Sequence, residues 1–142
     1  MSQILIVSEH APKPLGPYAH AVLESWKYRL HISGQSGRDP KTGKLAEGIE
    51  AQTEQTLNNI ETLLGEVQWN WNHVICIRAY LTDMSHYELV NGVYQRRFQK
   101  RFPARAALGV VALPGGALIE MKCEAGGNTL PEQYIPMLLK AD

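Results

Sequence analysis

The sequence predicts an α/β (α+β) domain in which two amphipathic helices cover one face of a mixed five- or six-stranded sheet. Three observations carry this. Two segments show apolar residues at helical spacing, and the remaining apolar runs are short and rich in β-formers. The 142 residues suit a single core. Two helices can cover one sheet face but not both, so the other face must meet water or another subunit.

The elements follow in the order β, β, β, α, β, α, β, β. QILIV (3–7) reads as a first strand. SEHAPKPLGPYAH holds three prolines and a glycine and is a loop. AVLESWKYRLHIS (21–33) reads as two strands around a turn near Ser25 to Lys27, and GQSGRDPKTGKLAEG is turn chemistry. In IEAQTEQTLNNIETLLGEV, Thr53, Leu57, Ile60, Leu64 and Val67 form one helical stripe. HVICIRAYLTD (73–83) reads as a central strand. Ser85 is placed to cap a second helix, with Glu88 completing a capping box and Tyr87, Val90, Tyr94 and Phe98 as its buried stripe. ARAALGVVAL, the turn PGG and ALIEMKCEA read as an antiparallel hairpin. Gly126 and Gly127 then separate a tail, giving a domain over residues 1–127 and a C-terminal extension over 128–142, an appended helix or an arm.

Composition excludes several classes. Lysine plus arginine and aspartate plus glutamate each number 14, so there is no excess of basic charge for a general nucleic-acid binder. A chain without net charge tends to associate. The N-terminus has neither a signal-peptide pattern nor an apolar run of membrane-spanning length, which points to a cytoplasmic protein with no membrane partner. Cys76 and Cys123 lie in strand-like runs without metal-site spacing and read as core residues. The five histidines are scattered, again without metal spacing. Trp69 and Trp71 have Gln68, Asn70 and Asn72 as neighbours rather than basic residues, a poor stacking platform for single-stranded RNA.

The residue that asks for an explanation is Arg105, a permanent charge inside the small-residue run ARAALGV. Alternation puts it on one face with Ala107 and Gly109. A turn centred on Pro114–Gly115 pairs it near Glu124 and leaves Glu120 on the same face, about 13 Å away along the strands. Two readings stand side by side. Arg105 pairs with Glu124 or with an acid of a neighbouring subunit, or it lines a small-walled cleft and holds a ligand carboxylate in its fork.

The segments GPY, SGQ, LTDM, VNGVY, PAR and LPGGALIE, in this order across residues 11 to 125, resemble the RidA (YjgF) family of reactive-imine deaminases. The resemblance implies a chorismate mutase-like fold, a six-stranded mixed sheet with two helices on one face. It implies a homotrimeric barrel of bare sheet faces, with clefts between neighbours. It places the ligand arginine on Arg105, the acid on Glu120, the cleft tyrosine on Tyr18, a backbone contact on Gly34 beside Ser33, and the helix asparagine on Asn91. The implied reaction is cofactor-free hydrolysis of 2-imino acids and enamines to 2-keto acids and ammonia, with no metal. The ligand is then a small 2-imino or 2-keto carboxylate. Ala107 stands where the family often has a cysteine, Lys122 where it often has a second glutamate, and Ala112 where many members have a basic residue. LESWKYR is longer than the usual turn, and the tail exceeds the usual end. Alternatives are an endoribonuclease acting on single-stranded RNA, a name some members carry, and a non-enzymatic binder of small carboxylates.

Overall fold

The computed structural model describes residues 2–140. Its strands are β1 (Gln3–Ile6), β2 (Ala21–Glu24), β3 (Tyr28–Ser36), β4 (Val74–Leu81), β5 (Ala104–Gly109) and β6 (Ile119–Gly127). Its helices are α1 (Ile49–Glu66), α2 (Tyr87–Phe98) and the short α3 (Ile135–Leu139). The strands fall into a two-stranded ribbon, β1–β2, and a four-stranded mixed sheet in the order β3–β6–β4–β5. No described helix is long and apolar enough to cross a membrane.

Helix α1 forms where periodicity places it, and Thr53, Leu57, Ile60 and Leu64 are fully buried. The stripe's threonine resolves its own polarity by donating to the Ile49 carbonyl one turn back, at 2.7 Å. From α2, Val90, Val93, Tyr94 and Phe98 join the same core. Both helices therefore lie on the sheet face carrying Ile32, Ile77, Ala79, Met121 and Cys123. Cys123 is packed inside this core and burial pushes its thiol up to about 12, so it is a neutral packing group. Cys76 is only half-buried, on the other face.

Among the described residues no helix covers that other face. There Glu124 gathers His31 at 3.8 Å, Arg78 at 3.8 Å and Lys122 at 3.9 Å, and Leu108 stands 51% exposed.

Two local expectations are corrected. The run 104–125 is not a hairpin. β5 pairs in parallel with β4, and β4 separates it from β6, which runs antiparallel to both β3 and β4. The reason is the helix between β4 and β5, because a strand–helix–strand crossover returns the chain parallel to where it began. Secondly, the cap before α2 is Asp83, whose carboxylate accepts the Ser85 N–H at 2.9 Å and starts a single 3₁₀ turn from Met84 to His86. Gly126 and Gly127, the last residues of the expected domain, are the buried end of β6 and lie against the rings of Trp26 and Trp69.

The ribbon is tied to this end of the sheet. Gln3 is buried, donates to the Val74 carbonyl at 3.0 Å, and accepts from the Trp26 indole at 3.0 Å. Trp69 stacks on His73 with centroids 5.4 Å apart, and Trp26 tilts over the same imidazole at 5.7 Å. Burial among these rings lowers the His73 pKa below its ordinary 6.5, against an opposing backbone hydrogen bond. The unfolded chain thus binds this proton more readily, and the stability is fully present above 6.5 and lost as pH falls below it. Thermal melts between pH 7.5 and 5 are expected to fall less steeply in His73→Phe than in the wild type; parallel slopes would remove His73 as a cause.

Candidate functional site

Arg105 sits on the edge strand β5, opposite Ile77 of β4, which in turn lies opposite Cys123 of β6. Paired residues share a face, so Arg105 is on the helix-covered side. Its guanidinium lies under the start of α2 and the loop ahead of β2. The Cζ atom is 4.9 Å from the Tyr94 ring centre and 5.6 Å from those of Tyr18 and Tyr87. Such faces attract a cation through their quadrupoles. Nη2 donates to the Tyr87 hydroxyl at 3.2 Å. Nε and Nη1 are buried and have no hydrogen-bond partner among the described residues. Among the described residues no carboxylate forms an ion pair with Arg105, and Glu124, one candidate for that role, is engaged by the bare-face bases.

Other groups around Arg105 are equally unspent. Among the described residues the Oδ1 of buried Asn91 has no partner, and neither has the fully buried Tyr94 hydroxyl. Burial holds the Tyr94 pKa far above its ordinary value, although the Arg105 charge pulls the other way, so the hydroxyl stays a donor. The Tyr18 hydroxyl accepts the Leu15 N–H at 3.1 Å, which folds the loop back on itself and turns the ring toward Arg105. Gly16 has to be glycine-sized here, since a Cβ would stand 2.6 Å from both Arg105 Nη2 and the Tyr87 hydroxyl. Ala107 lies on the same face as Arg105, two residues along β5, and packs against the core.

Glu120 is elsewhere. It pairs with Tyr80, one residue out of phase with the core positions Ile77, Ala79 and Leu81, and so points to the bare face. The expectation that Arg105 and Glu120 share a face is therefore overturned. It assumed that β5 and β6 are neighbours, and the intervening β4 reverses the outcome. The two residues are on opposite faces, roughly 14 Å apart at Cα by ordinary strand spacing and rise. With Glu120 goes Gly34. A bulge between Ile32 and Gln35 sets Ser33 and Gly34 in succession on the bare side, and the Glu120 carboxylate lies across Gly34, whose missing Cβ would stand 2.6 Å from Oε2. Glu120 forms no ion pair among the described residues.

The predicted residues thus fall into two groups on opposite faces of the sheet. Arg105, Tyr18, Asn91 and Ala107 make the first, and Glu120, Ser33 and Gly34 make the second. Sequence reasoning missed Tyr87 and Tyr94 as partners of Arg105, because their helical spacing marks them as core. A cavity of about 760 Å³ belongs to neither anchor; it runs along the free edge of β3, past Leu30, Ser33, Leu63 and Tyr134.

Comparison with known proteins agrees with this fold. The family described as endoribonuclease L-PSP matches residues 8–126. A RutC family protein of Pyrococcus horikoshii is 41% identical over 85% of this chain and 95% of its own. The 2-iminobutanoate/2-iminopropanoate deaminase of Bos taurus is 38% identical over 85% of this chain and 88% of its own. The crystal structure of RidA from the Antarctic bacterium Psychrobacter sp. superposes with a TM-score of 0.68, at 35% identity, covering 87% of this chain and 98% of that one. The segments from GPY to LPGGALIE, the mixed sheet under two helices and these matches agree, and the chain belongs to the RidA/YjgF family.

Proposed function

We propose that this protein hydrolyses small 2-imino acids, and their enamine tautomers, to 2-keto acids and ammonia, in clefts that two neighbouring protomers of a homotrimer build together. The observation that carries the reading is the state of Arg105. It is a part-buried, permanent cation whose Nε and Nη1 have no partner, and which has no ion-paired acid, among the described residues. An oxygen anion brought from outside the chain satisfies it, and a substrate carboxylate does so with two parallel hydrogen bonds. Relatives named as 2-iminobutanoate/2-iminopropanoate deaminases, at 36–38% identity, support this substrate class.

The chemistry needs few parts. With the carboxylate on Arg105, a water attacks the C=N carbon. Glu120 of the adjoining protomer takes a proton from that water, and the imine nitrogen gains one. The resulting carbinolamine collapses to the C=O bond and releases ammonia. One water is consumed, and no electrons are transferred. Because imines hydrolyse in water unaided, the site contributes mainly positioning. The bare sheet face, with its Glu124 cluster and exposed Leu108, is the surface on which protomers meet in this proposal.

The test is turnover of 2-iminobutanoate generated in situ. Wild type is expected to accelerate keto-acid release, and Arg105→Ala to lose about a hundredfold or more in kcat/KM. Binding of 2-oxobutanoate without turnover would instead mark a carboxylate-binding protein, and RNA cleavage that survives Arg105→Ala would mark a nuclease. Gly34→Ala separates site from scaffold. The new methyl displaces the end of a flexible side chain, so activity is expected to fall about tenfold while the melting temperature stays within about 2 °C. A large loss of melting temperature would show that Gly34 serves the backbone rather than Glu120.

A further inference from the structure

We propose that Tyr87 is a positioning residue that leaves Arg105 only one way to hold a carboxylate. The inference rests on the deaminase reading for its kinetic part and on geometry for the rest. A guanidinium offers two forks to a carboxylate, one from Nε with Nη2 and one from the two Nη atoms. Nη2 belongs to both and directs one proton into each. The Tyr87 hydroxyl takes one of those protons, at 3.2 Å, and so occupies one fork. The remaining fork fixes the carboxylate plane, and with it the face of the C=N carbon presented to water.

The surroundings make this hydrogen bond rigid. Tyr87 opens α2 directly after the turn that Asp83 caps, so its backbone is held on both sides. The Gly16 backbone is close enough to exclude even a methyl group from the Arg105–Tyr87 contact. The other two rings around Arg105 do not substitute for it. Tyr18 uses its hydroxyl as an acceptor for Leu15, and the Tyr94 hydroxyl has no partner, so each offers Arg105 only a ring face. Asn91, whose Nδ2 lies 3.4 Å from the place a Gly16 Cβ would take, brings an unpartnered Oδ1 to the same pocket.

Tyr87→Phe keeps the ring and removes only the hydroxyl. With both forks open, a carboxylate binds in two planes, one of them unproductive. Two planes of similar affinity halve the productive fraction, so the expected result is a kcat for 2-iminobutanoate lowered about twofold, with kcat/KM little changed and the Kd for 2-oxobutanoate lowered by about the same factor. Crystals soaked with 2-oxobutanoate are expected to show one carboxylate orientation on wild-type Arg105 and two in Tyr87→Phe. A merely structural tyrosine would move the melting temperature and Kd together. An unchanged kcat with a single orientation in the variant overturns the role of Tyr87, as does a collapse of Kd comparable to that of Arg105→Ala. Wild type that binds 2-oxobutanoate in one orientation but turns over no imine sinks the deaminase reading, and the two orientations in the variant still decide the inference.

Discussion

Mixing Arg105→Ala protein with Glu120→Ala protein, under conditions that let subunits exchange, is expected to restore about a quarter of the wild-type rate from two nearly inactive preparations. The expectation follows from the two faces of the sheet. Within a protomer Arg105 points under α2, and Glu120 points to the uncovered side. A reaction that needs both must draw them from different copies. After random exchange, half of the seams receive an intact arginine side, and half of those meet an intact acid. If one protomer supplied both groups, every site in the mixture would lack one, and no exchange would help. Each variant alone is expected to fall by about 10²- to 10³-fold, since one loses the carboxylate anchor and the other the proton acceptor. Recovery that appears with exchange and saturates near the predicted fraction supports a shared cleft. A mixture that stays inactive while mass spectrometry shows mixed oligomers refutes it.

What the sequence made legible, and what it hid, divides by range. Helix α1 was readable to within a residue, because burial of Thr53, Leu57, Ile60 and Leu64 is a local consequence of spacing. The alternation of β6 was equally readable, with Ile119, Met121 and Cys123 inside and Glu120 and Glu124 out. Strand order was not. The turn at Pro114–Gly116 has hairpin chemistry, yet turn chemistry says nothing about which strand lies alongside, and β4 pairs along both β5 and β6. The helix between β4 and β5 was the overlooked signal of a parallel pair. A hairpin would put Arg105 and Glu120 on one face, whereas the parallel pair puts Arg105, with Ala107 and Gly109, on the helix-covered face. Tyr87 was hidden for another reason. An aromatic at helical spacing serves core and site alike, and only the position of Arg105 beneath it distinguishes the two uses.

The end of β6 carries the prediction with the largest effect on stability. Gly127→Ala is expected to cost about 2–3 kcal/mol, because an added methyl overpacks a site that cannot yield. The Cβ would stand 2.4 Å from Cε2 of Trp69 and 2.8 Å from its Nε1. That ring is only 5% exposed and is stacked on His73 at 10° between planes, so the stack blocks its movement on that side. It is also held in its plane, since the indole donates to the Thr129 carbonyl at 2.9 Å, the bond that starts the C-terminal segment on its course. Moving the ring therefore disturbs the stack, the end of the sheet and the first tie to the tail together. For a chain of this size the loss corresponds to a melting temperature lower by about 10 °C. Gly65 supplies the comparison within the same protein. It is an exposed residue of α1 whose added Cβ would meet nothing within 4 Å, so Gly65→Ala is expected to gain about 0.5–1 kcal/mol from helix propensity alone. Opposite signs for one methyl at two glycines would locate the cost in the Trp69 contact. Equal and small effects would mean that the ring relaxes freely, and that the glycine pair is only the separator its sequence resembles.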